Sequence, residues 1–434
     1  MAEEQEVFKI VKMIFENSLS FALALDENDS LKHFREQFYF PKHNGKDVIY
    51  FCGNSLGLQP KNVEAAFNVE LQTWRDLAIE GYFKGKNPWL YYHNYLRGSL
   101  AKIVGANETE ITVMNALTVN LHFMMLSFYK PTKQRYKIMM EAGAFPSDQY
   151  AVETQVKHYG LNPEDAIIEI APRKGEKIIH EEDIFSAIER NKHSLALTIF
   201  GGINYYTGQL FDMAAITKAA QNAGAIAGWD LAHVAGNVPT QLHHWNIDFA
   251  VWCSYKYLNA GPGAVGGVFV HEKHAQHSNI ARLAGWWGND EKTRFKMEKG
   301  FTAKPDASGW NLSTTQVFNI VALKASLEIF DAANMQKLRK KSIQLTKYLE
   351  FLLLHLSNKN FEIITPADER KRGAQLCLYF KQKGKEIHEA LIANCIVVDY
   401  REPGVIRIAP APLYCSFEDV FKCVEIIKKV LDSN

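Results

Sequence analysis

An acid, an imidazole and a lysine lie close together in the middle of the chain. Asp230 and His233 follow one apolar run, and Lys256 follows a second and leads into a turn that contains Gly261 and Gly263. A lysine amine can react with the aldehyde of pyridoxal phosphate, and a carboxylate can hold the ring nitrogen protonated so that the ring accepts electrons. The sequence therefore predicts that Lys256 and Asp230 serve this cofactor.

Each of these residues also has a commoner role. A lysine at the end of a strand is usually a surface residue, and an aspartate after a strand often caps a turn. His233 could equally be a core histidine with its hydrogen bonds satisfied. The catalytic interpretation is favoured because Asp230, Tyr255, Lys256 and the two glycines together supply what a single cofactor needs.

A resemblance strengthens this interpretation. The segment Ser-Tyr-Lys-Tyr-Leu-Asn-Ala-Gly-Pro-Gly at residues 254–263 resembles the cofactor-lysine segment of the kynureninases, which are fold-type I pyridoxal phosphate enzymes. The resemblance continues through Phe-Cys-Gly-Asn-Ser-Leu-Gly at 51–57, Met-Asn-Ala-Leu-Thr-Val-Asn-Leu-His at 114–122, Phe-Pro-Ser-Asp at 145–148 and Arg-Ile-Ala-Pro at 407–410. It covers nearly the whole chain.

The resemblance implies a hydrolase that cleaves L-kynurenine, or 3-hydroxykynurenine, to alanine and the matching anthranilate. This reaction belongs to tryptophan catabolism and to the route from kynurenine to NAD. Lys256 would exchange the α-proton, Asp230 would hold the ring nitrogen, and Tyr255 would protonate the carbon released by bond cleavage. We expect pyridoxal 5'-phosphate as the cofactor.

The resemblance also assigns a set of residues to the cofactor: Leu117, Thr118, Phe145, Asp148, Gly201, Asp230, His233, Tyr255, Lys256, Trp286 and Thr314. Leu117 and Thr118 would bind the phosphate together with the Tyr255 hydroxyl. Phe145 would stack on the pyridine face, although a lone phenylalanine is normally part of the core. Asp148 would contact the residues that bind the cofactor and not the cofactor itself.

The phosphate assignment has support from the predicted elements. A helix predicted to start near Val119 presents free N–H groups and a partial positive charge, which suit a phosphate. Thr118 could instead be its N-cap, and both roles can hold together.

Three residues are assigned to the substrate: Arg407, Tyr82 and Ser313. Arg407 lies between apolar residues of a predicted strand, where a buried arginine needs an anionic partner. By the resemblance, this partner is the substrate α-carboxylate, bound at two points. Trp286 and Thr314 match positions that relatives donate to the cofactor of a neighbouring subunit, which implies a homodimer.

The chain departs from the animal kynureninases at three of these positions. Tyr82, Gly201 and Thr314 stand where those enzymes commonly carry a histidine, a serine and an asparagine. Substrate preference is therefore open, and a catalytically silent paralogue that binds the cofactor is the alternative. An aminotransferase also remains open, whereas a cysteine desulfurase would need a mobile cysteine between Trp286 and Thr314, and that stretch has none.

Composition bounds the class of protein. A length of 434 residues favours two domains, and 49 basic against 48 acidic side chains argue against nucleic acid or an anionic membrane as the main partner. The basic run at 337–341 is interpreted as a solvated helix face. The acidic start lacks the features of a signal peptide, and six scattered cysteines are typical of reduced thiols. We expect a cytoplasmic location.

Short β-rich runs alternate with helical patterns over the middle of the chain, which predicts an α/β fold with a mostly parallel sheet. The resemblance specifies the fold-type I architecture. We expect a helical arm at 1–64 that packs on the small domain, a large cofactor-binding domain at 65–314, and a smaller C-terminal α+β domain at 315–434. Strands are predicted at 111–114, 136–141, 195–200, 225–230, 248–253, 267–270, 376–380 and 406–409, and helices at 315–332 and 417–431.

Three histidines recur every third residue at His271, His274 and His277. On a helix this spacing rotates progressively around the axis, and neither a cysteine nor a carboxylate follows at ligand spacing. We therefore expect no metal from this repeat.

Overall fold

The computed structural model describes residues 14–275, 277 and 280–433. Its α-helices are α1 (Leu19–Glu27), α2 (Asn62–Leu77), α3 (Arg97–Val104), α4 (Leu117–Phe128), α5 (Pro146–His158), α6 (Pro163–Ala166), α7 (Glu181–Arg190), α8 (Met213–Asn222), α9 (Glu272–Ala275), α10 (Val317–Ala333), α11 (Met335–Leu354), α12 (Gly384–Ala393) and α13 (Phe417–Asp432).

Its strands are β1 (Lys42–His43), β2 (Lys46–Asp47), β3 (Ile49–Tyr50), β4 (Ile111–Met114), β5 (Lys137–Glu141), β6 (Ile167–Ile170), β7 (Leu195–Gly201), β8 (Ile226–Asp230), β9 (Phe249–Cys253), β10 (Gly266–Val270), β11 (Glu362–Ile363), β12 (Leu376–Tyr379), β13 (Ile396–Val397), β14 (Asp399–Arg401) and β15 (Val405–Ile408).

Seven of these strands form the large sheet, in the order β4-β10-β9-β8-β7-β5-β6. β10 runs antiparallel to both of its neighbours, and the other pairs are parallel. The central strands β8 and β9 are buried along almost their whole length, because helices cover both faces of the sheet. The predicted α/β fold with a mostly parallel sheet is confirmed.

A second sheet has the order β11-β12-β15-β14 and is antiparallel throughout. The N-terminal segment reaches this part of the chain, because β3 pairs in parallel with β13. Gly57 allows the same segment to approach the lysine loop closely: its N–H donates to the Tyr255 carbonyl at 2.8 Å, and a Cβ there would lie 2.4 Å from the carbonyl oxygen of Lys256. The domain boundaries at 64/65 and 314/315 stay predictions.

The predicted strands and helices lie within a few residues of the observed ones, and one strand of the large sheet was missed. β6 lies at one edge of the sheet and is only partly buried. Its exposed Glu169 interrupts an apolar run. An edge strand of four residues carries a weak sequence signal, since it buries little of its surface.

The interpretation of the basic run at 337–341 as a solvated face was wrong for two of its residues. Lys341 is buried and forms an ion pair with Asp29 at 2.7 Å, and the buried Arg339 donates to the carbonyl oxygens of Glu369 and Arg372. This face of α11 packs against the N-terminal segment and a C-terminal loop, where buried charges need partners. All six cysteines are free thiols.

A helix that crosses a bilayer needs about 20 predominantly apolar residues. Within residues 14–275, 277 and 280–433, no helix combines the length and the apolar character that a membrane crossing requires.

Candidate active site

A cavity of about 240 Å³ opens where several strands of the large sheet end. Ligands of open α/β sheets gather at such carboxyl ends. The cavity is lined by Ala116, Leu117, Thr118, Glu141, Phe145, Ser147, Asp148, Gly201, Ile203, Tyr205, Asp230, Ala232, His233, Cys253, Tyr255 and Lys256. The structure thus brings together all the predicted cofactor residues except Trp286 and Thr314.

Two neighbouring strands position the acid and the lysine. Asp230 is the last residue of β8, and its carboxylate accepts the N–H of Ala232 at 2.7 Å. Lys256 follows β9 by three residues, in a turn that the hydroxyl of Ser254 fixes by donating to the Val265 carbonyl at 2.7 Å. Because β8 and β9 are parallel, their ends place both side chains at the same edge of the sheet.

The lysine amine lies between an imidazole and an aromatic ring. Its Nζ is 3.2 Å from Nε2 of His233 and 5.8 Å from the centroid of the Phe145 ring. Burial, followed by the charge of Lys256, holds the pKa of His233 well below its ordinary value, so the imidazole is neutral. Its Nδ1 is buried without a hydrogen-bond partner among the described residues. An orphaned buried nitrogen beside the lysine fits a ligand that supplies a polar atom.

Three carboxyl groups meet at the floor of the cavity. Burial, and then the nearby Asp230, raises the pKa of Asp148 well above its ordinary value. Burial also raises the pKa of Asp230, while the charge of Lys256 opposes the shift. Asp148 therefore stays protonated and hydrogen-bonds to Asp230. A carboxylate placed in this way can hold a protonated ring nitrogen, so the residues present fit pyridoxal phosphate.

Glu141 is the third carboxyl group, and the sequence reasoning missed it. It ends β5, is 3% exposed, and accepts the N–H of Gly201 at 3.1 Å. Burial is the main cause that raises its pKa to about 8, so it is protonated at neutral pH. The signal that could have found it is the one used for Asp230, an acid at the end of a predicted strand.

Gly201 was expected to lack a hydroxyl near the cofactor. A Cβ at this position would lie 3.0 Å from a carboxylate oxygen of Glu141, so the two residues share a limited space. A side chain at position 201 would therefore contact Glu141 as well as enter the cavity.

The helix at the phosphate position begins earlier than predicted. α4 starts at Leu117, and its N-cap is Ala116, which makes no side-chain cap. The alternative that Thr118 is the N-cap was wrong, because Thr118 lies inside the first helical turn. The free N–H groups of that turn point toward the helix N-terminus, which borders the cavity. This geometry suits an anion.

Two aromatic side chains flank the lysine. Phe145 is 43% exposed and packs edge-on against Tyr205 at 5.2 Å between ring centroids, so it is not a core residue. Burial, with a smaller effect of Cys253, raises the pKa of the Tyr255 hydroxyl, which therefore keeps its proton.

Arg407 lies next to the cavity without lining it. Its Nη2 donates to Asp399 at 2.6 Å and to the Ser55 hydroxyl at 3.1 Å, its Nε is 3.3 Å from Asp399, and its Nη1 donates to the Tyr205 carbonyl at 2.8 Å. The expected anionic partner of the buried arginine is present as Asp399 of the same chain, and the binding of a substrate carboxylate by Arg407 stays a prediction. A substrate carboxylate bound at two points would displace one of these contacts, since a single N–H of Nη1 is left free by the described partners.

The remaining predicted residues lie outside this cavity. Tyr82 packs edge-on against Trp89, and Trp286 is 44% exposed and donates its ring N–H to the Arg294 carbonyl at 3.1 Å. Ser313 is exposed and Thr314 is half-buried. Their assigned roles stay predictions.

Solved structures with similar folds include pyridoxal phosphate enzymes. The apo cysteine desulfurase of Thermococcus onnurineus NA1 superposes with a TM-score of 0.73 and 18% identity over 89% of this chain and 95% of its own. A C-DES mutant with glycine covalently linked to its PLP cofactor gives a TM-score of 0.74 at 16% identity, over 90% of this chain and 98% of its own. These likenesses show the fold.

Comparison of sequences gives the family. Residues 338–427 match the family model of the kynureninase C-terminal domain. Kynureninase from Flavobacterium psychrophilum is 50% identical over 97% of this chain and 100% of its own length, that of Myxococcus xanthus is 52% identical over 96% and 98%, and that of Homo sapiens is 47% identical over 95% and 93%. Identity of this extent over the full length establishes the relationship, and the chain belongs to the kynureninase family.

Proposed function

We propose that this protein is a pyridoxal phosphate-dependent hydrolase that cleaves L-kynurenine or 3-hydroxy-L-kynurenine. The products are L-alanine and anthranilate or 3-hydroxyanthranilate. The observation that carries the proposal is the placement of Lys256, His233 and Asp230 in one cavity of a chain from the kynureninase family. When bound, the cofactor supplies an aldehyde that links to amines and a ring that accepts electrons.

The side chains divide the work by position. Lys256 removes and later returns the proton on the substrate Cα, since its amine lines the cavity and an amine can act as a general base. Asp230 holds the ring nitrogen, and the protonated Asp148 keeps the Asp230 carboxylate in place. The N–H groups at the start of α4, with Tyr255, bind the phosphate.

The bond that breaks joins Cβ to the carbonyl carbon of the substrate. Water adds its oxygen to the carbonyl carbon, which becomes the carboxyl group of the anthranilate, and a proton is delivered to Cβ. Tyr255 is the donor we assign, because it lines the cavity one residue from Lys256 and keeps its proton at neutral pH. Arg407 binds the substrate α-carboxylate from the side of Tyr205.

We also infer a cytoplasmic homodimer. The six free cysteines fit a reducing compartment. Trp74, Ile79 and Phe83 are 58%, 69% and 56% exposed within one short stretch of sequence, and large exposed apolar side chains that lie together are typical of a protein interface. Light scattering of the purified protein measures the assembly, and a monomeric mass under working conditions contradicts it.

The test of the activity is incubation with each kynurenine and identification of the products. Alanine and the matching anthranilate in equal amounts are expected, with Lys256→Ala as the inactive control. A keto acid that forms only with a second substrate identifies an aminotransferase, and bound cofactor without product identifies a silent paralogue. The ratio of kcat/KM for the two kynurenines gives the substrate preference, which Tyr82 and Thr314 are proposed to set.

A further inference from the structure

A second cluster of polar side chains lies at the edge of the large sheet opposite the cavity. Glu110 immediately precedes β4, His243 lies in the connection from β8 to β9, and His271 directly follows β10. Because β10 runs antiparallel to both β4 and β9, its end meets the beginnings of these two strands. The sheet thus brings three segments that are distant in sequence to one point.

Each of the three side chains directs one ligand atom at the same small volume. Nδ1 of His243 lies 3.0 Å and 3.1 Å from the two carboxylate oxygens of Glu110. Nδ1 of His271 lies 3.6 Å from Oε1 of Glu110, which is too long for a hydrogen bond. The three ligand atoms lie within 4.8 Å of one another.

The separations of Glu110 from the two histidine nitrogens, 3.0 Å and 3.6 Å, are close to those of ligands around one tetrahedral cation. Zinc bound to nitrogen and oxygen at about 2.0 Å places its ligands ~3.3 Å apart. Two imidazoles and a carboxylate form a ligand set that zinc accepts readily. The two imidazole rings are neighbours, with 5.0 Å between their centroids and an interplanar angle of 17°.

The orientation of His271 is that of a metal ligand. Its Nε2 lies 3.3 Å from the carbonyl oxygen of His243, so Nε2 carries the proton and Nδ1 keeps the lone pair of the ring. Histidines that bind metals usually donate their other N–H to a carbonyl or a carboxylate in this way. A cation would replace one weak contact at Nδ1, the N–H of Lys273 at 3.2 Å.

The charges around the cluster favour a cation. The Glu110 side chain is fully buried, and two backbone N–H groups, of Asn107 and Glu272, orient it at 2.9 Å. Lys273 forms an ion pair with Asp248 at 2.8 Å, so it is engaged elsewhere. A buried carboxylate is stabilised by a nearby positive charge.

We propose that Glu110, His243 and His271 bind a zinc-type divalent cation that ties the three segments together at this edge of the sheet. The fourth ligand is water on the side of His243, which is 25% exposed and lines a surface cavity of about 510 Å³. The spacing of His271, His274 and His277 did not predict this site, because only His271 takes part. His274 instead contacts Asp248 at 2.6 Å.

The experiment uses the untagged full-length protein with its cofactor bound. After treatment with a chelator, the protein is titrated with Co²⁺ as a spectroscopic probe and with Zn²⁺, and bound metal is counted by elemental analysis. One cation per chain, a tetrahedral cobalt spectrum and a higher Tm in zinc are expected.

His243→Gln and His271→Gln should each weaken binding at least about tenfold, since loss of an outer-shell partner alone has that effect. His244→Gln is the matched control, because this neighbouring histidine is exposed and outside the cluster. The cofactor absorbance of each variant shows whether it folds. If His271→Gln does not fold because His271 is buried, the result for His243→Gln decides.

Either of two results overturns the proposal. One is the absence of stoichiometric cation and of any zinc effect on Tm, which leaves His243 hydrogen-bonded to Glu110. The other is cation binding by His243→Gln that equals that of the wild type, or a loss of binding in His244→Gln as large as that in His243→Gln. Either outcome would assign the cation to surface histidines. Both results leave the proposed hydrolase activity untouched, since Lys256 lies at the other edge of the sheet.

Discussion

The Lys256 amine lies 3.2 Å from Nε2 of His233, and the opposite nitrogen of that imidazole is buried without a partner. A neutral imidazole in this position accepts a hydrogen bond from the lysine and leaves its Nδ1 for a ligand. The contact also keeps the lysine over the cavity instead of in solvent, where a long side chain would have more rotamer freedom. The lysine is thus held ready before any ligand arrives.

Replacement of this lysine should remove both the colour and the activity of the protein. Wild type with bound cofactor is expected to absorb visible light, and Lys256→Ala should lose that band. Because the variant lacks the base at Cα, kcat should fall at least about 100-fold. Absorption spectra and steady-state rates measure both effects, and a wild type that stays colourless with added pyridoxal phosphate contradicts the cofactor assignment.

Asp230→Asn should slow exchange of the substrate α-proton at least about 100-fold, the usual effect of losing one aligned electrostatic contact. The amide keeps the shape of the carboxylate but cannot hold a protonated ring nitrogen. Exchange is followed by NMR in deuterated water, with cofactor occupancy measured in parallel. Exchange at the wild-type rate in a variant with full occupancy shows that Asp230 is not the partner of the ring nitrogen.

Glu141→Gln should flatten the pH dependence of stability of the cofactor-free protein. The folded protein binds this proton up to about pH 8, whereas the unfolded chain releases it near the ordinary value of 4.5. The stabilisation is therefore complete below pH 4.5 and is lost as the pH rises toward 8. Over this window the wild type should lose up to about 1.4 kcal/mol per pH unit more than the variant.

Urea unfolding at several pH values between 5 and 8 measures the difference. Glu169→Gln is the matched control, because Glu169 is exposed and pairs with Met140 on the neighbouring strand. If the control and Glu141→Gln show the same pH dependence, Glu141 is not protonated in the folded protein.

Arg407→Leu should raise KM for kynurenine without changing the visible absorbance of the cofactor. The loss of a charged contact costs about 2 to 5 kcal/mol, much of it from the partner charge left unpaired. Arg407→Lys keeps the charge and should raise KM less. Unchanged KM in Arg407→Leu would place the carboxylate site elsewhere, and unfolding curves of both variants show whether the stranded Asp399 destabilises the fold.

Much of the site could be predicted from local sequence. Asp230 ends one short apolar run and Lys256 follows another, both runs are of a length typical of buried strands, and parallel strands deliver their last residues to one edge. The helix after β4 and the glycine turn after Lys256 have equally local signals. Glu141 has a position equivalent to that of Asp230 at the end of its strand, but it lies in none of the motifs that mark the cofactor site, so it was missed.

The sequence by itself therefore determined the fold class, the family and the core of the cavity. These follow from periodicity and motifs, which are recognisable within short segments of the chain. Only the tertiary structure decided that Asp399 pairs with Arg407, that Arg339 and Lys341 are buried, and that Glu110, His243 and His271 converge. These residues lie in separate segments, and their contacts depend on how β10 runs against its neighbours and on how α11 packs. Such contacts follow from the closure of the fold, which no local pattern encodes.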